Sequence, residues 1–300
     1  MFSKLFAESG LSLDRLKALL AVAAAGSIVK ATDGDPVKQS QYSRQIKELE
    51  DFFRIKLVER YGKGIRLTSS GKELARISRF FLLGLSNFQR GCLTEEQTFR
   101  IGASATFIRR FLLPVLSSPK VLRSATRYIV ETASDDEIER RLHDLTLDFG
   151  VITQAELSRP LQLKEFGQWR LKLWIPRALH KNEKSATVAL KERRLSLVLA
   201  RKELDTCGVD FFNDHEPRLI CDNFLEAMAA MEEKALASIL PDFLVPDAKS
   251  KAFLQVRVPT LESRVFHFRL AWNPRLLRLN PHAVRRRDFL AESLGQVARD

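Results

Sequence analysis

The stretch from Gly26 to Gly71 constrains this chain more than any other. Gly26-Ser27 opens a helix that the run Asp33-Gly34-Asp35-Pro36 must interrupt, so that helix is expected to be short. Beyond the break, Tyr42, Ile46, Leu49 and Phe53 recur at intervals of four, three and four. That spacing puts one apolar stripe on a second helix. Leu57 to Gly71 then reads as a short β-hairpin, with Gly62 and Gly64 supplying the positive φ of a tight turn. The predicted order is helix, turn, helix, hairpin wing.

The face of the second helix opposite its stripe carries Lys38, Gln39, Ser40, Gln41, Ser43, Arg44 and Lys47. Gln pairs bidentately with adenine and Arg with guanine, while Lys and Ser reach phosphates. Alone, such a helix reads more readily as an ordinary solvated surface. The hairpin shifts the balance, because Arg60, Lys63 and Arg66 put cations on or beside its tip, where a backbone phosphate would sit.

These residues resemble the N-terminal domain of LysR-type transcriptional regulators. The matching positions are Gly26-Ser27, Val37, Gln39, Ser43-Arg44-Gln45-Ile46, Leu49-Glu50 and Leu57 through Gly71, collinear and without insertion. Two departures stand out. Asp33 to Pro36 replaces the end of the second helix of the domain, and Ser40 stands where the family often has Pro at the start of its recognition helix. The resemblance implies a role for Ser27 in fixing the protein on the phosphate backbone; as a plain N-cap it would sit equally well there. The fold class implied is α/β overall: a winged helix-turn-helix, a long linker helix, and a two-lobed effector domain like the periplasmic binding proteins.

Charge agrees. Residues 1–91 hold 16 of the 49 Lys and Arg but only 9 of the 37 Asp and Glu, so the formal excess of +12 is densest in the N-terminal third. Cys92, Cys207 and Cys221 are an odd three without a close pair, as suits a reducing bacterial cytoplasm, with the protein on the nucleoid. Cys207, His215 and Cys221 match no common zinc spacing, so neither metal nor cofactor is expected. Arg15, Lys17 and Ala18 to Ala25 imitate a signal peptide. Against that, Leu13, Leu16, Leu20 and Ala23 keep helical spacing and run straight into the motif, so this is read as the first helix of the DNA domain, capped by Ser12 after a frayed leader. No apolar run has the length of a membrane span.

The expected domains are 1–68 (winged helix-turn-helix), 69–91 (linker helix), 92–98 (hinge) and 99–300 (effector domain). Lobe 1 of the last takes residues 99–160 and 265–300, and lobe 2 takes 161–264. Ser70 to Glu73 reads as a capping box for the linker helix. Leu74, Ile77, Phe81, Leu85 and Phe88 follow at coiled-coil spacing. In the family this helix pairs two subunits, so a homodimer or tetramer is expected, which also lets a dimer read two half-sites. Gly91 is expected to end the helix, and Thr94 to Gln97 to act as hinge.

Strands are then expected at 99–103, 127–131 and 147–152 with helices between, a parallel arrangement. Further strands fall at 171–176, 195–200, 238–241 and 264–272, and a closing helix at 281–294. Pro114 and Pro119 bound a short element. Ser104 and Thr106 follow the first strand, and Thr132 and Ser134 the second. Hydroxyls and amides there suit a small organic anion between the lobes, although plain N-caps would look the same. Asp135-Asp136 reads as the decoration of a helix start. The five histidines are scattered, and no nucleophile elbow or phosphate loop occurs, so catalysis is not expected. The alternatives are a two-lobed solute-binding or enzymatic protein with an accessory winged-helix domain, or a winged helix that serves only protein contacts.

Overall fold

The computed structural model describes residues 11–61, 64–93, 97–208, 216–233, 235–245 and 252–298. The chain divides into two compact units, residues 1–94 and 95–300. The leader, Gly62-Lys63, the hinge residues Thr94 to Glu96, and His215 lie outside the described residues.

In the first unit Ser12 accepts a hydrogen bond from Arg15 N (3.3 Å) and starts α1, Leu13–Ala25. Gly26 ends it at φ 75°, a left-handed turn that glycine adopts without strain. Ser27 caps α2, Ile28–Ala31, a single turn as the sequence requires. Thr32 is buried and folds its hydroxyl back onto Ile28 O (2.9 Å). Asp33 and Gly34 are both left-handed, which reverses the chain. Asp35 then caps α3, Pro36–Phe53, through Val37 N and Lys38 N. Pro36 is the first helical residue, where its missing N–H costs nothing. The helix therefore begins four residues before Ser40, and the proline the family often places at that point is supplied earlier.

The expected stripe is the packed face of α3. Ile46 and Leu49 are fully buried, Tyr42 and Phe53 partly, against Leu16, Leu19, Val22, Ile28 and Leu57. Each such aliphatic side chain contributes roughly 1.5–3 kcal/mol. Strands β1 (Val58–Tyr61) and β2 (Gly64–Leu67) form the antiparallel wing, with Glu59 opposite Arg66.

The helix α4, Ser69–Leu93, starts differently from expectation. The cap is Thr68, not a box at Ser70: its Oγ1 accepts from Gly71 N (3.0 Å) and donates to Lys56 O (2.8 Å). Glu73 instead holds Arg76. A Cβ at position 71 would lie 2.1 Å from Leu57 O, so only glycine lets the helix lie against the wing. Nor does Gly91 end the helix, which continues through Leu93; one glycine lowers helix propensity by only about 1 kcal/mol.

The second unit contains two five-stranded sheets. The first has the order β4-β3-β5-β12-β6: Thr126–Thr132, Gln97–Ala103, Phe149–Ile152, Phe266–Trp272 and Gln162–Trp169. The second has the order β11-β7-β10-β8-β9: Phe253–Val256, Leu171–Pro176, Ala237–Pro241, Leu197–Ala200 and Leu219–Cys221. In the first sheet β3 pairs parallel with β4 and β5, and β12 runs antiparallel to β5 and β6. Strand β6 corrects the expected lobe boundary: residues 162–169 belong to the first sheet, and the chain crosses at Arg170.

Helix α5 covers residues 105–116. It is α over Ala105–Phe107, π over Ile108–Leu112 and α again over Leu113–Leu116. The expected break at Pro114 is absent. The π turn shifts the ladder so that Leu113 N bonds Ile108 O, and the proton Pro114 lacks falls at that switch. The remaining helices are α6 (Pro119–Leu122), α7 (Asp135–His143), α8 (Glu183–Lys191), α9 (Arg201–Thr206), α10 (Phe224–Glu232), α11 (Pro259–Glu262), α12 (Pro274–Leu279) and α13 (Pro281–Val297). The short α9 follows β8 directly, so its side chains hang over the carboxyl end of the second sheet.

Candidate functional site

The outer surface of α3 is polar and basic. Lys38, Ser40, Gln41, Ser43, Arg44 and Lys47 are exposed, and Gln39 and the capping Ser27 are half-buried. Arg44 Nε donates to Glu48 Oε1 (3.0 Å), and Glu48 Oε2 accepts from Arg15 Nε (2.5 Å). Hydrogen bonds from Arg15 and Arg44 hold the Glu48 carboxyl below its ordinary range. Glu48 thus ties α3 to α1 and steadies Arg44 through a solvated pair that a base or phosphate can replace. Lys38 lies 3.7 Å from Asp35. On the wing, Arg60 is exposed and Arg66 donates to Glu59 (2.7 Å); Lys63 is outside the described residues.

One residue that braces this face carried no assigned role in the sequence. Glu50 is buried and accepts from Leu57 N (2.7 Å), Val58 N (3.2 Å) and Lys56 Nζ (3.0 Å). Burial alone would raise its pKa, but those donors outweigh it and the carboxyl lies below its ordinary value. Glu50 therefore clamps the end of α3 to the start of the wing. The signal was its place in the Leu49-Glu50 match.

The expected pairing stripe on α4 divides. Leu74 packs against the core of the first unit. Ile77, Phe81, Leu85 and Phe88 stay 52%, 50%, 46% and 73% exposed. Four large apolar side chains on one solvent-facing stripe are unusual for a surface without a partner.

In the second unit, Ser104, Thr106, Thr132 and Ser134 all line one cavity of about 290 Å³. The first sheet contributes these residues with Asp135 and Phe268; the second contributes Glu203, Cys207, Phe224 and Pro241. The hydroxyls are largely engaged. Ser104 caps Phe107 N and Ser134 caps Glu137 N. Thr106 Oγ1 donates to Glu203 Oε2 (2.8 Å), which also accepts from Phe224 N (2.6 Å). Burial raises the Glu203 pKa even though these donors, with the Ser104 hydroxyl and the Thr106 amide close by, oppose it. The anion that meets Ser104 and Thr106 in this structure is the chain's own carboxylate. Asp135 is buried in the same wall, accepts from Thr153 N, Thr153 Oγ1 and Gln154 N, and is likewise raised, first by burial. Cys207 is pushed up to about 12 by burial and by Glu203 and Asp135, so it is a neutral thiol. The Trp169 indole, 4% exposed, also lines the cavity, and its Nε1 has no hydrogen-bond partner among the described residues.

Among the described residues, no group of three or more His, Cys, Asp and Glu is placed to hold a metal. No helix among them is long and apolar enough to cross a membrane.

A helix with a basic outer face, a wing, a long helix and a two-lobed α/β unit with an interlobe cavity define a class: DNA-binding regulators with an effector domain. The model of the bacterial regulatory helix-turn-helix proteins of the lysR family matches residues 13–72, and that of the LysR substrate binding domain matches residues 94–295. The chain belongs to the LysR family and is a DNA-binding transcriptional regulator with an effector-binding domain. It is 24% identical over 244 residues to the uncharacterized HTH-type transcriptional regulator YvbU of Bacillus subtilis, covering 78% of this chain and 75% of that protein. Its fold is similar to that of ArgP from Mycobacterium tuberculosis (TM-score 0.68, 18% identity, 96% and 97% of the two chains). It is also similar to full-length LysG from Corynebacterium glutamicum with bound effector Arg (TM-score 0.60, 18% identity, 92% and 99%).

Proposed function

We propose that the protein works as a dimer, or a pair of dimers, in the bacterial cytoplasm and on the nucleoid, each dimer presenting α3 twice to duplex DNA. Gln41 and Arg44 read base edges, with Lys38, Gln39, Ser40, Ser43 and Lys47 beside them. Ser27, Arg60, Lys63 and Arg66 hold the backbone. The observation that carries this reading is the stripe Ile77, Phe81, Leu85 and Phe88, 46–73% exposed on a helix that begins at the wing. A second copy of the same stripe covers it with matching chemistry, and two copies of α3 then read two half-sites.

The cavity of the second unit takes a small molecule, and its occupancy biases the geometry of the paired reading heads. The reading assigns no catalysis. Light scattering of the full chain tests the pairing: twice the chain mass or more is expected for wild type, and one chain mass for Phe81→Glu with Phe88→Glu. A wild-type monomer that binds DNA as tightly as a dimer would contradicts the reading.

A further inference from the structure

Among the described residues, three acidic side chains, Asp135, Glu203 and Asp222, line the cavity against one ammonium, Lys202. Lys202 Nζ already donates to Asp222 Oδ2 (2.6 Å), which leaves Asp135 and Glu203 without a cation among the lining groups. Both carboxylates, after burial, push the Cys207 thiol up, and Arg264, whose guanidinium is held by the Gly208 and Cys207 carbonyls, opposes them. Five aromatic side chains, Phe107, Trp169, Phe224, Phe243 and Phe268, share the wall with small hydroxyl residues, of which Thr106 is committed to Glu203 and Ser104 and Ser134 to helix N-termini. A ligand anion would have to displace Glu203 from Thr106 and Phe224 N while facing Asp135. A protonated amine or guanidinium meets opposite charge at these carboxylates, and aromatic side chains in the same lining.

We propose that Glu203 sets the charge class of the effector, and that the cavity selects a small organic cation rather than a carboxylate. This rests on the reading of the cavity as the effector site. Its dimensions admit a head group on a short chain, and the 2.8 Å link from Thr106 to Glu203 means that the cation seats where the two sheets are already joined, so binding tightens their apposition. Opposite charge at a partly desolvated carboxylate is worth a charge-assisted hydrogen bond, so its loss reads as about a ten- to hundredfold weakening.

Titration calorimetry of the full chain decides it, with agmatine, cadaverine and phenethylamine as cations and glutarate and phenylacetate as anions. At least one cation is expected to bind at one per chain. Glu203→Gln, which keeps the shape, should weaken it by about tenfold or more, and Lys202→Gln, which frees Asp222, should tighten it. If an anion binds, the cations do not, and Glu203→Gln tightens the anion, the charge class is wrong while the cavity stands as the effector site. If cations bind equally to wild type and Glu203→Gln, Glu203 is not the selector. If no member of the panel binds wild type or variant, both the class and the effector reading fall.

Discussion

Two carboxylates, one in each unit, show how differently the two halves of this molecule use burial. Glu50 is enclosed, and its three donors lower its pKa; it acts as a rivet between α3 and the wing. Glu203 also has donors, yet burial still wins and its pKa rises. The first unit spends its polar groups on holding a shape. The second leaves a carboxyl with a raised pKa in the wall of a cavity, where we propose that a ligand binds. Substitutions that separate the two uses test the contrast.

The largest effect belongs to the rivet's surroundings. Gly71→Val should unfold or misplace the wing, at a cost of about 3 kcal/mol or more, because the new Cβ meets backbone at Leu57 O rather than a side chain that could move. Thermal melting of the N-terminal transition and loss of DNA retention would show it. Glu50→Gln comes next, at about 1–3 kcal/mol near neutral pH. Its folded pKa lies below the unfolded one, so its stabilisation is present above the unfolded pKa and disappears as pH falls through the folded value. Wild type and variant should therefore converge in acid. Glu203 has the opposite sign. Its contribution is greatest below the unfolded pKa and is lost as pH rises through the raised folded value, so Glu203→Gln should match or exceed wild-type stability at neutral pH, within about 1 kcal/mol. A large loss there would make Glu203 a second rivet and erase the contrast.

Smaller effects fall on the reading face. Arg44→Ala should relax base preference at one position by about 1–3 kcal/mol, whereas Arg66→Ala should weaken all duplexes alike and lower the salt slope by about one. If both variants discriminate sequences as wild type does, the assignment of α3 to base edges is wrong.

How much of this was legible in the chain follows from the range of the interactions. The α3 stripe, the Ser12 and Ser27 caps and the hairpin rest on neighbours a few residues away, and periodicity shows such contacts directly. The Thr68 cap was missed because its case rests on a bond to Lys56 O, twelve residues back, as well as on Gly71. Strand β6 was missed because only its last residue, Trp169, is buried and its pairing runs to β12 about a hundred residues later. The four hydroxyl residues of the cavity were found because they follow strand ends. Glu203 was not, since its partner Thr106 lies 97 residues away and nothing in α9 marks it. The Asp135-Asp136 pair was visible, but only the fold shows that Asp135 turns inward to Thr153 while Asp136 stays exposed.

Footprinting of the full chain on its duplex, beside Phe81→Glu with Phe88→Glu, tests the central claim most directly. Wild type should protect two half-sites whose centres are one or more helical turns apart, and the variant should lose that paired protection at concentrations where wild type is saturated. A single short protected patch for wild type, or an unchanged footprint for the variant, would contradict a regulator that reads DNA through two copies of α3 joined by α4.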